Sequence, residues 1–348
     1  MTKKVIPPSD PKYPEIHRHI IWDWIRTFIG FGMMGGLILG AMWLFNLPIT
    51  AIWGAGLFWL LFPVVMWLAS AQVSLKLMKC EPIDMSVPEY AQAVEWLKEL
   101  LPMTGMKHLP PVYISEDERP NAFATGPFPA WGVIGITKGF FKLGLTKGEF
   151  QGVLAHELSH IKKFDVGVNS MTAAMSMIFF MVFNVGMKVP VQWVIDLIKR
   201  LFGMPLRAEN QKIFSGVAEW IIFFLVFQVT GKLTSLVQMF IVRSREAGAD
   251  ALGSHMTGKP CDLAMALMKL VAYYEKNRPK GSEREFYKVL RPIMTIDPLY
   301  ATMTVTAPPV TLWEKLKAFW AYLQLTHPPV PERVANLEKM NGGACPRP

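Results

Sequence analysis

The sequence predicts a multi-pass α-helical membrane protein with a cytosolic, mainly helical domain that contains a small β-sheet. Three observations predict it. Of the 348 residues, 51% are hydrophobic and only 18% are charged, with mean hydropathy +0.26; a water-soluble domain is about 25% charged. Two apolar runs, 25–47 and 51–75, each exceed the roughly 20 residues that cross a hydrocarbon core of about 30 Å. The chain after them mixes amphipathic helical patterns with short extended segments. Lys and Arg number 36 against 27 Asp and Glu, a formal charge of +9. In so apolar a chain that excess does not indicate nucleic acid. Twelve Trp, 22 Phe and 22 Met exceed the needs of one soluble core and point to lipid contact. Disordered, collagen-like and disulfide-scaffold classes are excluded. Cys80, Cys261 and Cys345 are odd in number, far apart and form no Cys-x-x-Cys, so free thiols in a reducing compartment are expected.

The first run is marked only by Arg26 and Asn46 at its edges, and the second has no charge. The link 46–50 allows a tight helical hairpin. A cleaved signal peptide is a poor reading, because some two dozen polar or mixed residues, with four prolines, precede the first run. Lys3, Lys4, Lys12, Arg18 and Arg26 lie before the hairpin and Lys76 and Lys79 after it, so both flanks belong in the cytoplasm. Runs 168–189 and 214–229 are less clean, holding Asn169, Asn184 and Glu219. The loop 190–212 between them is basic and would lie outside if both spanned, against the charge rule. A second membrane-inserted hairpin is expected, with a partly inserted or surface pair as the alternative; 191–202 has the pattern of an interfacial helix.

The chain therefore divides into a cytosolic N-terminal segment 1–24, the transmembrane hairpin 25–75, a first domain part 76–167, the second apolar hairpin 168–242, a second domain part 243–340 and a loose tail 341–348. Within the domain, 86–101 reads as an amphipathic helix with Pro88 in its first turn. Val112–Ile114 reads as a strand, and 121–126 and 131–137 as extended segments joined by the Gly126–Pro129 turn. Helices are expected over 262–276, 282–290 and 311–325, interrupted by the Pro- and Thr-rich stretch 291–309. No internal repeat is present.

The informative string is 148–160, GEFQGVLAHELSH. Thr146, three residues before Glu149, makes a capping-box pattern that starts a helix there. His156 and His160 are i,i+4 and stack on one face, so two imidazoles can hold one Zn2+. Glu157, on the adjacent face, can reach a water at the metal. A third ligand is needed, and 161–165 supplies no histidine. The candidates are Glu246 and Asp250, again i,i+4. One carboxylate can coordinate while the other accepts an imidazole Nδ1–H, although such pairs also occur on many solvated helices. His156 and Glu246 can meet whether the runs between them make two crossings or none.

With these residues in view, the sequence resembles the HtpX family of membrane-bound zinc metallopeptidases, in the wider group that includes the CAAX prenyl proteases. The resemblance covers nearly the whole chain. It rests on the N-terminal span pair, Asn121-Ala-Phe-Ala-Thr-Gly126, the 152–160 string, Ser244-Arg-Glu-x-x-Ala-Asp250, and Thr326-His-Pro-Pro329 with Arg333. It implies a zincin-like metalloprotease domain in which His156, His160 and Glu246 bind one Zn2+ per chain. It further implies that Glu157 is the general base and that Asp250 supports a ligand from behind. It also implies a bacterial inner-membrane quality-control protease with its active site facing the cytoplasm, associated with envelope stress, whose partners are protein or peptide substrates and the lipid bilayer. Ala247 and Gly248 stand where the family more usually has an aromatic residue after the ligand Glu. The stretch between Tyr274 and Trp320 and the loop 190–212 are longer than the family leads one to expect.

His327 is the first candidate oxyanion donor and Arg333 the second. A turn histidine before Pro328-Pro329 is the plain alternative for the former, and a salt bridge anchoring the last helix for the latter. Asn121, Phe123, Gly132, Val133 and Ile134 are expected along the substrate cleft, where a strand edge can bind extended peptides; an ordinary packed hairpin is the alternative. A narrow-specificity processing protease and a noncatalytic, zinc-stapled scaffold are the competing functions. Glu157 argues against the scaffold, since a structural site needs no base. The absence of a G-x-x-x-x-G-K-[ST] motif argues against a nucleotide-driven enzyme.

Overall fold

The computed structural model describes residues 64–172, 213–281, 294–299 and 311–348, with parts of 21–33 and single positions at 61, 283, 284 and 287. The segment 1–20, most of the span pair, most of 168–189, the loop 190–212 and most of 282–310 lie outside the described residues. Among the described residues no helix is long and apolar enough to cross a membrane.

The elements run α1 (Ser70–Leu77), β1 (Cys80–Pro82), α2 (Pro88–Thr104), β2 (Val112–Ser115), β3 (Ala122–Thr125), β4 (Val133–Thr137), α3 (Lys138–Phe141), α4 (Lys147–Lys162), α5 (Ile213–Thr257), α6 (Pro260–Lys276), α7 (Leu312–Leu323) and α8 (Val330–Asn341). Pro88 sits in the first turn of α2, where its missing N–H costs nothing. The sheet order is β1-β2-β4-β3. β1 and β3 pair antiparallel with their neighbours and β2 pairs parallel with β4, which makes β3 an edge strand. One core, including Leu97, Ile134, Ile136, Leu154, Leu158, Leu263, Leu267 and Leu337, joins the sheet to α2, α4, α6 and α8.

Three expectations change. The boundary at 242/243 is not a break: one helix of 45 residues, α5, carries the 214–229 run straight into the 243–250 segment. Cys261 and Cys345 form a disulfide. Their separation of 84 residues said nothing about distance in space, because α6 and α8 pack together and bring the two Cα atoms to 5.2 Å. The tail is accordingly fastened: Cys345 is buried, and its N–H donates to Glu338 Oε1 at 3.0 Å.

The ends of the N-terminal apolar runs rest on the domain. Trp24 stacks on Phe164 and lies under the Arg245 guanidinium, and Trp67 Nε1 donates to Pro127 O at 2.9 Å.

Candidate active site

Helix α4 begins as its sequence requires. Thr146 caps it, with Glu149 N–H donating to Thr146 Oγ1 at 3.3 Å and Thr146 N–H to Glu149 Oε2 at 2.7 Å. Two turns on, His156, Glu157 and His160 are all buried. Helix α5 crosses α4 there with almost no separation. A Cβ on Gly253 would stand 2.8 Å from the His156 nitrogen and 2.9 Å from its Cα, so only glycine permits the approach. Glu246 and Asp250, two turns and one turn earlier on α5, are thereby set against the two histidines.

Glu246 Oε2 lies 3.6 Å from His156 Nε2, and Oε1 lies 3.4 Å from His160 Nε2. The ligand atoms of His156, His160 and Glu246 all fall within 4.8 Å of one another. Carboxylates hold both rings from behind: Asp250 Oδ1 is 2.9 Å from His156 Nδ1, and Asp165 Oδ2 is 2.9 Å from His160 Nδ1. Each Nδ1 must then be the donor, which turns each Nε2 lone pair to the centre. Two such nitrogens facing each other at 3.0 Å repel unless a proton or a cation is shared between them. Glu246 Oε2 is buried and accepts no hydrogen bond. The donor set therefore fits a metal ion. Burial lowers the pKa of His160, but its contacts with Asp165 and Glu246 outweigh that and bring it up to about 10. A divalent cation would displace that proton.

Burial pushes the Glu157 carboxyl above the usual range, against the pull of His156 and His160. Burial also opposes ionisation of Glu246 and Asp250, yet His327 and His160 at Glu246, and Arg333 and His156 at Asp250, hold both below it. His327 is buried on the turn before α8, with Nε2 3.6 Å from Glu246 Oε1 and Nδ1 3.0 Å from Thr326 Oγ1. Burial, partly countered by Glu246, brings its pKa down to about 4, so the ring is neutral at pH 7. Arg333 faces the same carboxylate, with Nη1 3.4 Å from Glu246 Oε2, but its hydrogen bonds go to other partners. It grips Asp250 with two bonds, 2.9 and 2.7 Å, and donates to Thr295 O at 2.8 Å. That is an anchoring geometry, and it steadies the carboxylate behind His156.

A cleft of about 300 Å3, counted with the solvent at its mouth, is lined by the three ligand-type residues, Glu157, His327, Ala124, Val166, Asn169 and Met294. None of the five residues expected along the cleft is among them. Val133 and Ile134 belong to β4, an interior strand, and Gly132 lies against Ile161. Phe123 folds over Gly135 towards Met78, Tyr287 and Met294. Asn121 instead accepts the Thr295 N–H at 3.0 Å. The strand that reaches the cleft is β3. Phe123 and Thr125 pair with β4, so the N–H and C=O of Ala122 and Ala124 point away from it.

Two residues escaped the sequence reading. Asp165 lies five residues beyond His160, off the helical period. Phe164, at φ 64°, turns the chain back so that Asp165 faces His160. Thr295 donates to Ala122 O at 2.6 Å and is 3.3 Å from Glu157 Oε1, which ties the 294–299 segment to both strand and base. Nothing in a Pro- and Thr-rich stretch marks one threonine among several.

A pair of imidazoles one helical turn apart, a carboxylate from a second helix and a buried acid beside them define a metallopeptidase centre. Comparison with known proteins narrows the class. The model of "Peptidase family M48" matches residues 90–341. Protease HtpX homologs are similar over most of their length: that of Leuconostoc citreum is 28% identical over 323 residues, covering 91% of this chain and 96% of its own. That of Streptococcus gordonii is 27% identical, covering 92% and 96%. That of Pelotomaculum thermopropionicum is 30% identical over 271 residues, covering 78% and 83%. The chain belongs to peptidase family M48, in its HtpX group, and is a metalloprotease. No solved structure matches it.

Proposed function

We propose that the protein is a zinc-dependent endopeptidase that cleaves misfolded or membrane proteins in segments exposed to the cytosol, as part of membrane-protein quality control at the bacterial inner membrane. The observation that carries the reading is Glu157: a buried acid beside His156, His160 and Glu246 serves chemistry and has no use in a structural metal site. Two nitrogens and one carboxylate suit zinc and leave room for a fourth ligand. The membrane assignment is supported by runs 25–47 and 51–75 with their basic flanks.

His156, His160 and Glu246 would hold the ion. Bound zinc supplies Lewis acidity, which polarises a carbonyl and acidifies water. The work of this chain's own residues can be derived beside that. Glu157 takes the proton of the attacking water and delivers it to the leaving amine; its raised pKa lets it hold the proton between the two events. Ala124 on the β3 edge offers backbone groups to an extended peptide, which suits substrates of varied sequence. His327 faces the cleft through Nε2 and is the candidate donor to the developing oxyanion; its Nδ1–H is given to Thr326 Oγ1, whose own hydroxyl donates to Asp297, so it donates to the oxyanion once Nε2 has taken up a proton. Asp250, with Arg333 behind it, keeps the His156 ring aligned.

The test is Glu157→Gln in purified full-length protein. Zinc content and melting should match wild type while casein hydrolysis falls to background. Undiminished turnover by that variant, free of contaminating protease, would remove Glu157 as the base.

A further inference from the structure

The long segment before His327 contains a helix that the metalloprotease reading leaves unused. In α7, Leu312–Leu323, no residue is buried. Leu312 is 75% exposed, Trp313 65%, Phe319 59% and Trp320 54%. At about 3.6 residues per turn, these four, Leu316 and Leu323 fall within one arc of about 120°. Lys315 and Lys317 border the arc on either side. The helix is locally self-sufficient, since Thr311 and Glu314 form a capping box at its start. That box engages its single acidic residue.

α7 is attached at its C-terminal end. Arg243 of α5 donates to Tyr322 O at 2.7 Å and Leu325 O at 3.1 Å, with its guanidinium over the Tyr322 ring at 4.5 Å. Two residues along α5, Arg245 covers Trp24 at the start of the first apolar run. The exposed large apolar residues gather in the same connected segments. Among the described residues, apart from α7, they are at 21–33, 61–68, 229 and 233, with Leu77, Met85 and Trp131 as the remainder. Trp131 itself packs on Phe128, which packs on Trp67 of the second run. Arg243 and Arg245 thus hold the C-terminal end of α7 and Trp24 to one stretch of α5.

We propose that α7 lies on the phospholipid bilayer as an interfacial helix, with Trp313, Phe319 and Trp320 in the headgroup–acyl boundary and Lys315 and Lys317 reaching the phosphates. An arc of Trp, Phe and Leu bordered by lysines is what that boundary accommodates. A water-facing helix would not gather its aromatic residues on one side. The consequence reaches the cleft: Leu325, Thr326 and His327 follow α7 directly and are buried. Seating α7 on lipid therefore sets how far the cleft stands from the bilayer.

The inference rests on the membrane reading above, and the experiment separates the two. Full-length protein carrying Cys80→Ser, with Cys261 and Cys345 paired, receives one added cysteine: Phe319→Cys within the arc, Ala318→Cys opposite it, or Phe58→Cys in the middle of the 51–75 run. Each is labelled with bimane and reconstituted into phosphatidylcholine–phosphatidylglycerol vesicles containing doxyl lipid, and zinc content certifies the fold. Quenching at 319 should be several-fold stronger than at 318. That result supports the proposal even if position 58 is unquenched, an outcome that would refute the spans alone. Quenching at 58 with equal, weak quenching at 319 and 318 would overturn the proposal and leave the spans standing. Phe319→Cys protein that cross-links to a second copy in the vesicles, unquenched by lipid, would also overturn it by assigning the face to self-association. Trp320→Cys, in the same arc, must repeat whichever result 319 gives.

Discussion

Asp165→Asn probes the second imidazole through a residue that touches no substrate. Asp165 is fully buried and serves three partners with two oxygens. Oδ2 faces His160 Nδ1 at 2.9 Å and Lys163 Nζ at 3.3 Å, and Oδ1 accepts from Arg245 Nε. Burial opposes its ionisation, but Lys163, Arg245 and His160 outweigh that and hold the carboxyl well below the usual range. An asparagine of the same shape has one accepting end and one donating end, so either His160 or Arg245 must face an NH2 group. Turning the NH2 to His160 costs the ring its orienting acceptor, about 10–100-fold in metal affinity, or about 1.4–2.7 kcal/mol, while Lys163 Nζ, on the same oxygen, keeps its bond to Arg245 O at 3.1 Å. Turning it to Arg245 opposes a buried guanidinium, on the order of 3–5 kcal/mol. The second cost is larger, so the amide oxygen should stay with Arg245. Zinc affinity then falls towards the 100-fold end. Adding Arg245→Met frees the amide to turn its oxygen to His160, so zinc binding should recover in the double variant. A chromophoric-chelator competition titration measures both. Wild-type zinc affinity in the single variant would refute the orienting role, and no recovery in the double variant would refute the rotation argument. The pH dependence carries a sign check. A depressed carboxyl contributes stability above its unfolded pKa of about 3.9, and that contribution is lost as pH falls towards the lower folded value. Melting curves of wild type and Asp165→Asn should therefore converge below about pH 4.

The remaining predictions are shorter. His327→Ala should lower kcat by roughly 10²–10³-fold with little change in KM, zinc content or Tm if His327 is an oxyanion donor; near-normal kcat in zinc-replete enzyme would return it to the role of a turn residue. Burial pushes the Cys80 thiol up to about 11 despite Ser115. Iodoacetamide should therefore modify it far more slowly at pH 8 than a free thiol of pKa about 8.5. The raised pKa also means that Cys80's contribution to stability is complete below about 8.5 and lost as pH rises through about 11, so wild type and Cys80→Ser should diverge below that window and converge above it. Cys345→Ala removes a cross-link closing 84 residues and should cost up to about 4.6 kcal/mol by chain entropy. Thermal melting with and without reductant checks it: the wild type should drop under reductant and the variant should not.

How far the sequence could be read depended on where each residue's partner lies. Thr146 and Glu149, His156 and His160, and Glu246 and Asp250 have their relevant neighbour within one helical turn, where geometry is set by the backbone alone. Their relation is therefore visible in one dimension. The sheet's existence was legible for the same reason, from short extended segments and the Gly126–Pro129 turn. The strand order was not. A β4 interior and a β3 edge follow from the parallel pairing of β2 with β4, which no local pattern encodes, and the expected cleft residues were displaced onto Ala124 as a result. Asp165 was hidden by a single left-handed residue, Phe164, that breaks the helical period just where the period would be used to search.

Gly253 carries the same lesson into energetics. Its signal is the absence of a side chain, and its effect is to let α5 reach α4 at His156, so a methyl group there would have to push Glu246 and Asp250 away from the histidines. The centre is thus assembled by an approach between helices 97 residues apart in the chain, while the residues that perform the chemistry are recognisable one turn at a time. In a molecule built this way, sequence reading finds the reactive groups first and their supports last. The supports, Asp165, Thr295 and Gly253, are where substitutions should alter metal affinity and alignment without touching a single ligand.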